Sequence, residues 1–342
     1  MAFLEDYQRE LKRQSRHGRC LHYSNGDRCN EVVSAHSIQK RGQLNLIAED
    51  GHVYRLNADF SILEKTKGFP SLKKTGVNRA STFAGYCKYH DNELFEPIDN
   101  FPLGPEREQI ALYAYRSLCR EFFVKENAVK VLAKMKDHPE LDESSRRFLS
   151  ALLIGHSLGL EGLKHHKSIF DTALSGSNFE QFEFTYFTSR SPCSVQLSGL
   201  LYPDYDFEGN HLQDLGNNET PWDLITFFTA PVDEGWAFGF GWHVSSNRSC
   251  VQFMQSLAQR VANGEKVEDM LLRFSLSCCE NHAIRISWWD GLHELSRAAV
   301  MERMYVMMHP SVPVSSRYLA AGCEGIANWQ YEYVHTTLRA AG

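Results

Sequence analysis

The sequence of 342 residues lacks several features that would place it in a familiar class at once. No apolar run approaches the roughly 20 residues that cross a bilayer, and the first twenty residues mix acids and bases where a signal peptide has an apolar core. There is no Walker loop and no GxGxxG motif, so nucleotide-dependent functions have no support. Nine cysteines, an odd number, do not indicate a disulfide framework. We therefore expect a soluble, cytoplasmic protein.

Charge is distributed unevenly along the chain. Residues 1–90 hold 15 Lys and Arg against 9 Asp and Glu, a net charge of +6. The remaining 252 residues hold 21 against 33, a net charge of −12. A basic part joined to an acidic part indicates that contact with a polyanion would occur at the N-terminal end. A solvated surface would give the same excess, so both interpretations stay open.

Hydrophobic periodicity predicts an α+β fold in three parts. Residues 1–102 form a basic module, and residues 103–177 form a helical connector of two long helices with apolar residues at helical spacing. Residues 178–342 form an acidic α+β domain, whose aromatic and β-branched segments predict a mostly antiparallel sheet. The basic segment 64–80, with two glycines and a proline, is expected to be a loop. The stretch WWDGLHELSRAAVMERMYVMM is expected to be one helix.

The strongest motif is Cys20-x8-Cys29 followed by Cys87-x2-His90. The two cysteines of the first pair flank an SNGD turn, and the second pair has the i, i+3 spacing that places two side chains on one face of a helix start. Cysteine and neutral histidine supply the four ligands of a tetrahedral structural zinc site. The motif therefore predicts bound Zn²⁺, the alternative being four unconnected surface residues.

This knuckle-and-helix plan looks like a treble clef. The segments SAHSIQKRGQLNLIAEDGHVY and FAGYCKYHDNELF resemble the zinc-bearing branch of the HNH endonuclease family, over roughly residues 18–99, as in uncharacterised bacterial proteins that carry this module. The resemblance implies that His36 is the general base and that Asn45 corresponds to the family's asparagine. Ala35 stands where the family places a metal-ligating acid or histidine.

The resemblance also implies how a phosphodiester would be held. A second divalent ion, Mg²⁺ or Mn²⁺, would stabilise the charge that develops on the phosphoryl oxygens, with Asp91 or His52 helping to bind it. DNA or RNA would contact residues 1–90, and four basic side chains would clamp its phosphates, namely Lys40, Arg41, Lys73 and Lys74.

Arg116 and Arg120 lie one turn apart in the first long helix. We expect these two arginines either to bind a phosphate or to pair with Glu121 or Glu126.

Together these patterns predict a zinc-containing protein that interacts with nucleic acid. A catalytic module would make it a metal-dependent endonuclease, and analogy suggests a role in bacterial defence against phage. The alternative is a non-catalytic, zinc-stabilised binding or scaffolding protein, whose C-terminal domain recognises a protein or a small ligand.

Overall fold

The computed structural model describes residues 2–57, 66, 70–308 and 314–339. Helices and antiparallel strands are mixed along the chain, so the predicted α+β class is confirmed. None of the helices in these described ranges combines the length and the apolar character that a membrane span requires.

The helices are α1 (Ala2–Arg16), α2 (Asn45–Ile47), α3 (Lys88–Leu94), α4 (Glu96–Asp99), α5 (Arg107–Met135), α6 (Glu143–Ser175), α7 (Asn247–Ala262), α8 (Val267–Cys278), α9 (Ile286–Gly291) and α10 (Glu294–Met308). The strands are β1 (Val32–His36), β2 (His52–Asn57), β3 (Ser71–Gly76), β4 (Thr82–Cys87), β5 (Phe182–Ser189), β6 (Val195–Leu201), β7 (Ile225–Val232), β8 (Gly235–His243), β9 (His282–Ile284) and β10 (Tyr333–Thr336).

A small unit near the N-terminus consists of two strands and a helix. β1 and β4 form a separate antiparallel pair, in which Val32 lies opposite Cys87 and His36 lies opposite Thr82. α3 follows β4 directly, and Cys87 caps its N-terminus. Cys87 and His36 therefore lie at opposite ends of the pair, with α3 beginning at the cysteine end.

Among the described residues, the large sheet has eight strands in the order β10-β5-β8-β7-β6-β9-β2-β3. All of its neighbouring strands are antiparallel, which confirms the predicted character of the sheet. β2 and β3 belong to the basic N-terminal part, yet β2 pairs with β9, where Tyr54 lies opposite Ile284. The division at residues 102 and 177 stays a prediction, and one sheet crosses both boundaries.

Two local expectations are wrong. The segment 64–80 is not a loop throughout, because residues 71–76 form β3, which pairs with β2 along its whole length; residues 64, 65 and 67–69 lie outside the described residues. Lysines are well suited to such an edge strand because their charge discourages pairing with another chain. The stretch after β9 forms two helices, because the chain is extended at Leu292, directly after Gly291.

The long helix α5 lies at the centre of the molecule. Its side chains from Gln109 to Cys119 are buried, and it contacts β4 and α6 as well as four strands of the large sheet. At Gly241 of β8 a Cβ atom would lie 2.8 Å from Ile110 Cγ2, so glycine permits this close approach of helix and sheet. One apolar cluster runs from Cys87 through α5 to Phe228 of β7. The small unit and the sheet therefore share a core.

Candidate metal centre and the adjoining cleft

The first two candidate ligands are positioned by a turn that hydrogen-bonds to β4. The backbone N–H of Leu21 donates to the carbonyl oxygen of Gly85 at 2.8 Å, which places Cys20 beside the end of that strand. Gly26 has a φ of +98°, a conformation that glycine adopts without steric cost. Its N–H lies 3.3 Å from Cys29 Sγ and donates to it. The turn thus returns Cys29 to the neighbourhood of Cys20.

The structure brings Cys20, Cys29, Cys87 and His90 together as one Cys₃His cluster. Their potential ligand atoms all lie within 4.8 Å of one another. His90 Nδ1 is 3.3 Å from the Sγ atoms of Cys20 and Cys87 and 3.5 Å from that of Cys29. A tetrahedral zinc ion with ordinary Zn–S and Zn–N bonds separates sulfur and nitrogen by about 3.5 Å. The four residues are therefore close enough to hold a metal ion, in an arrangement compatible with structural zinc.

The thiols of the cluster differ in how readily they ionise. Burial raises the pKa of the Cys20 thiol to about 12. Burial also acts against ionisation at Cys87, but hydrogen bonds from the backbone of His90 and Asn30 and from the neighbouring cysteine thiols together outweigh it, and the pKa of that thiol is lowered. Three cysteines this close would repel one another as thiolates unless a cation lay between them. A divalent metal would supply that charge.

Aromatic contacts support the cluster from the side of α5. The ring of His22 stacks on that of His90, with centroids 4.0 Å apart and planes at 2°. Burial lowers the pKa of His22 to about 4, which keeps this ring neutral near pH 7. The Tyr115 hydroxyl of α5 lies 3.0 Å from the Leu21 carbonyl oxygen and 2.6 Å from Asp171 Oδ1. These contacts connect the first ligand turn to both long helices.

A cleft of about 290 Å³ lies beside this unit, and we call it the His36 cleft. It contains several of the predicted functional residues, because His36 and Asp91 line it together with Lys40 and Arg41. His36 ends β1, and Asp91 lies in the first turn of α3, next to the ligand His90. The structure thus places a histidine, a carboxylate and two cations around one space.

The histidine of this cleft is held in a defined orientation. His36 Nε2 lies 3.1 Å from the carbonyl oxygen of Val77, which can only accept. Nε2 therefore carries the proton in the neutral ring, and Nδ1 is left as the basic nitrogen. Burial lowers the pKa of His36, and the neighbouring Lys40 acts in the same direction. A neutral imidazole near pH 7 is the form required of a general base.

An ion pair between Arg116 and Asp99 lines the same cleft. The guanidinium of Arg116 makes two hydrogen bonds of 2.8 Å to the carboxylate of Asp99. It also lies over the ring of Phe95, 4.0 Å from the centroid. Arg116 is 3% exposed, so its charge depends on this partner. Burial raises the pKa of Asp91, the other carboxyl group of the cleft.

Four predicted residues lie elsewhere. His52 begins β2 and does not line the His36 cleft. Asn45 begins the short helix α2 and is exposed, and it does not line the His36 cleft. Lys73 and Lys74 are exposed neighbours on β3. Lys73 lines a different cleft, together with Arg120 of α5. The structure therefore separates the predicted phosphate-binding side chains into two groups.

Comparison of the chain with family models, with curated proteins and with solved structures gives no match. The resemblance to HNH endonucleases therefore stays a prediction that depends on the residues themselves.

The sequence patterns did not identify some of the residues that line the two clefts, and they predicted the wrong partner for one arginine. Arg116 was expected to bind a phosphate or to pair with Glu121 or Glu126, but its partner is Asp99, from the short helix α4. The expected pairing with Glu121 is made by Arg120. The basic residues Arg55 and Arg79 carry no motif, and only their position in the fold marks them.

Proposed function

We propose that the protein binds one structural zinc ion through Cys20, Cys29, Cys87 and His90 and that this zinc stabilises a nucleic-acid-binding module. The observation that carries the proposal is the set of three Sγ–Nδ1 distances of 3.3–3.5 Å at the start of α3. In this proposal the turn that carries Cys20 and Cys29, the β1–β4 pair and α3 would together form a treble clef. Zinc in such a module contributes directly to its folding.

The nucleic acid would bind at the His36 cleft. Lys40 and Arg41 lie at this cleft, in the part of the chain whose net charge is +6. Cationic side chains that contact phosphates give an affinity that falls steeply with salt. DNA and RNA share this backbone chemistry, and the proposal covers both.

A second candidate function is metal-dependent hydrolysis of the bound phosphodiester. The observation that favours it is the position of His36 and Asp91 around one space, with His36 neutral near pH 7 and its Nδ1 left as the basic nitrogen. His36 would deprotonate the attacking water, and Asp91 would help to bind Mg²⁺ or Mn²⁺. Action against phage DNA or RNA in bacteria belongs to this candidate.

Binding without cleavage, or a scaffolding role in which the C-terminal domain recognises a protein or a small ligand, is the competing account. Ala35 contributes no ligand before His36, and Asp99 already pairs with Arg116. In the described part of the chain, no second group of three or more His, Cys, Asp or Glu side chains is gathered closely enough to share an ion. A catalytic metal would therefore depend on Asp91 and on oxygen atoms of the substrate.

The test combines binding and cleavage in one set of proteins. Wild-type protein is mixed with duplex DNA and with single-stranded RNA, and binding is measured over a series of salt concentrations in EDTA-free buffer. The double variant Lys40→Glu, Arg41→Glu should bind at least about tenfold more weakly. The charge-matched control Arg147→Glu, Lys164→Glu reverses two exposed cations on α6 and should bind as the wild type does. Equal affinities in the two double variants would exclude the His36 cleft as the binding site.

Cleavage is then measured after addition of Mg²⁺ or Mn²⁺. His36→Ala and Asp91→Asn should abolish cutting while the zinc content stays unchanged, whereas the exposed histidine variant His293→Ala should cut normally. Binding by the wild type without any cutting would rule out the endonuclease and leave the binding function.

A further inference from the structure

A second cleft, of about 270 Å³, shares no lining residue with the His36 cleft among the described residues. His36 lines the first cleft, whereas its strand partner Thr82 lines the second. On α5, Arg116 lines the His36 cleft, and Arg120, one turn later, lines the second cleft. The two clefts are thus neighbouring but distinct spaces.

Four cations line this second cleft, which we call the arginine cleft: Arg55, Lys73, Arg79 and Arg120. They come from β2, β3, the turn after β3, and α5, so the fold gathers them from separate parts of the chain. No acidic side chain lies among the described residues that line it. Arg120 pairs with Glu121, outside the lining. Arg55, Lys73 and Arg79 therefore line one space in which no acidic side chain among the described lining residues balances their charge.

Arg55 gives the clearest indication that this cleft binds an anion. Its Nη1 atom is buried and has no hydrogen-bond partner among the described residues. A buried donor without a partner costs free energy, and more so when it carries a charge. Burial lowers the pKa of Arg55 to about 10, and the nearby guanidinium of Arg120 acts in the same direction. An anion between them would remove both penalties.

We infer that the arginine cleft is a binding site for a phosphate monoester group. A phosphate monoester carries a charge between −1.5 and −2 near pH 7 and offers three acceptor oxygens, which suits three uncompensated cations better than a single carboxylate does. Guanidinium groups bind tetrahedral oxyanions through paired N–H donors. The volume lies at the small end of ligand sites, enough for a phosphorylated small molecule or for the end of a strand.

This inference stands apart from the proposed function, because none of its four cations lines the His36 cleft or belongs to the Cys₃His cluster. Loss of nucleic-acid binding at the His36 cleft would leave phosphate binding here unchanged. Two sources share the chemistry, a free mononucleotide and a phosphorylated strand end, and the probes distinguish them.

The experiment uses the adjacent lysines of β3 as a matched pair. Lys73 lines the arginine cleft and Lys74 does not, although both are exposed on the same strand. Binding of inorganic phosphate, a mononucleotide, and one oligonucleotide with either a 5′-phosphate or a 5′-hydroxyl group is measured by calorimetry on the full-length protein. Lys73→Gln and Arg55→Gln should weaken binding of phosphate at least about tenfold, whereas Lys74→Gln should bind as the wild type does.

The pattern among the probes assigns the ligand. Tighter binding of the 5′-phosphorylated oligonucleotide than of its 5′-hydroxyl counterpart supports a strand end, and tightest binding of the mononucleotide supports a free nucleotide. Equal affinities of Lys73→Gln and Lys74→Gln for phosphate would overturn the inference, as would the absence of phosphate binding by the wild type. The lysine pair keeps the test decisive even where Arg55→Gln does not fold, because both lysines are exposed.

Discussion

At the scale of single residues, the ion pair of Arg116 and Asp99 joins helices α5 and α4 beside the His36 cleft. The guanidinium is almost fully buried, whereas the carboxylate side chain is 38% exposed. Removing the carboxylate would leave a buried cation, which costs far more than the loss of a surface pair.

We therefore expect Asp99→Asn to lower the free energy of unfolding by about 2 kcal/mol, less than for a fully buried pair because Asp99 is partly hydrated. The control is Asp137→Asn, which breaks the exposed pair with Lys136 and should change stability by less than about 0.5 kcal/mol. Urea unfolding of the three proteins measures the difference. Equal losses in the two variants would show that Arg116 does not depend on this carboxylate.

Residue patterns predicted the Cys₃His cluster well because two of its pairs are close in sequence. The turn between Cys20 and Cys29 and the helical spacing of Cys87 and His90 are local features. The partner of Arg116 was not predictable in this way, because helices α4 and α5 meet through a bend whose geometry no local motif encodes. Arg55 was not predicted either, because its position in the arginine cleft depends on the packing of segments that are far apart in the sequence.

At the scale of elements, the short strand β9 carries a completely buried histidine. His282 Nδ1 lies 2.8 Å from the Cys279 carbonyl oxygen, and burial lowers the pKa of this ring to about 4 from its ordinary 6.5. Between these pH values the unfolded chain binds a proton that the folded chain does not. Stability from the neutral ring is therefore present above pH 6.5 and is lost as the pH falls towards 4.

The expected result is a fall in the free energy of unfolding of up to about 3 kcal/mol from this one residue between pH 6.5 and 4. His282→Gln should make the pH dependence shallower without abolishing it, because His22 also has a pKa lowered to about 4. His293→Gln, at an exposed position after α9, should leave the pH dependence as in the wild type. Urea unfolding at a series of pH values tests this, and identical slopes in the wild type and His282→Gln would refute it.

The elements themselves were predicted unequally. The helices α5 and α6 have long apolar periodicity, which depends on one segment alone, and they formed where expected. β3 was predicted as a loop because Gly, Pro and Lys dominate the segment around it, and its strand conformation comes from pairing with β2. The break between α9 and α10 was not predicted because the segment reads as one helical stretch, whereas the backbone becomes extended at Leu292.

At the scale of the whole molecule, one core and one sheet join the basic N-terminal part to the acidic remainder. Cys87 and Phe95 belong to the same apolar cluster as Phe228 of the large sheet. The pairing of β2 with β9 joins segments far apart in the chain, and no sequence pattern identifies such partners. The α+β class could be predicted, but the shared sheet could not.

The shared core predicts that the metal stabilises the entire chain. Removal of zinc with a chelator should lower Tm by roughly 5 °C or more, in a single transition, because the module cannot unfold without exposing part of the common core. Circular dichroism and calorimetry on the same samples would measure this. Two separate transitions, with only the smaller one sensitive to the chelator, would show that the module unfolds independently.

The measurement that tests the central claim most directly is the zinc content of the purified protein. Elemental analysis should find about one zinc ion per chain in the wild type and none in Cys87→Ser or His90→Ala, since each variant removes one of four ligands. Cys323→Ser, a control outside the cluster, should keep its zinc. A wild-type protein without zinc, or with zinc that both ligand variants retain, would contradict the Cys₃His site and the module built around it.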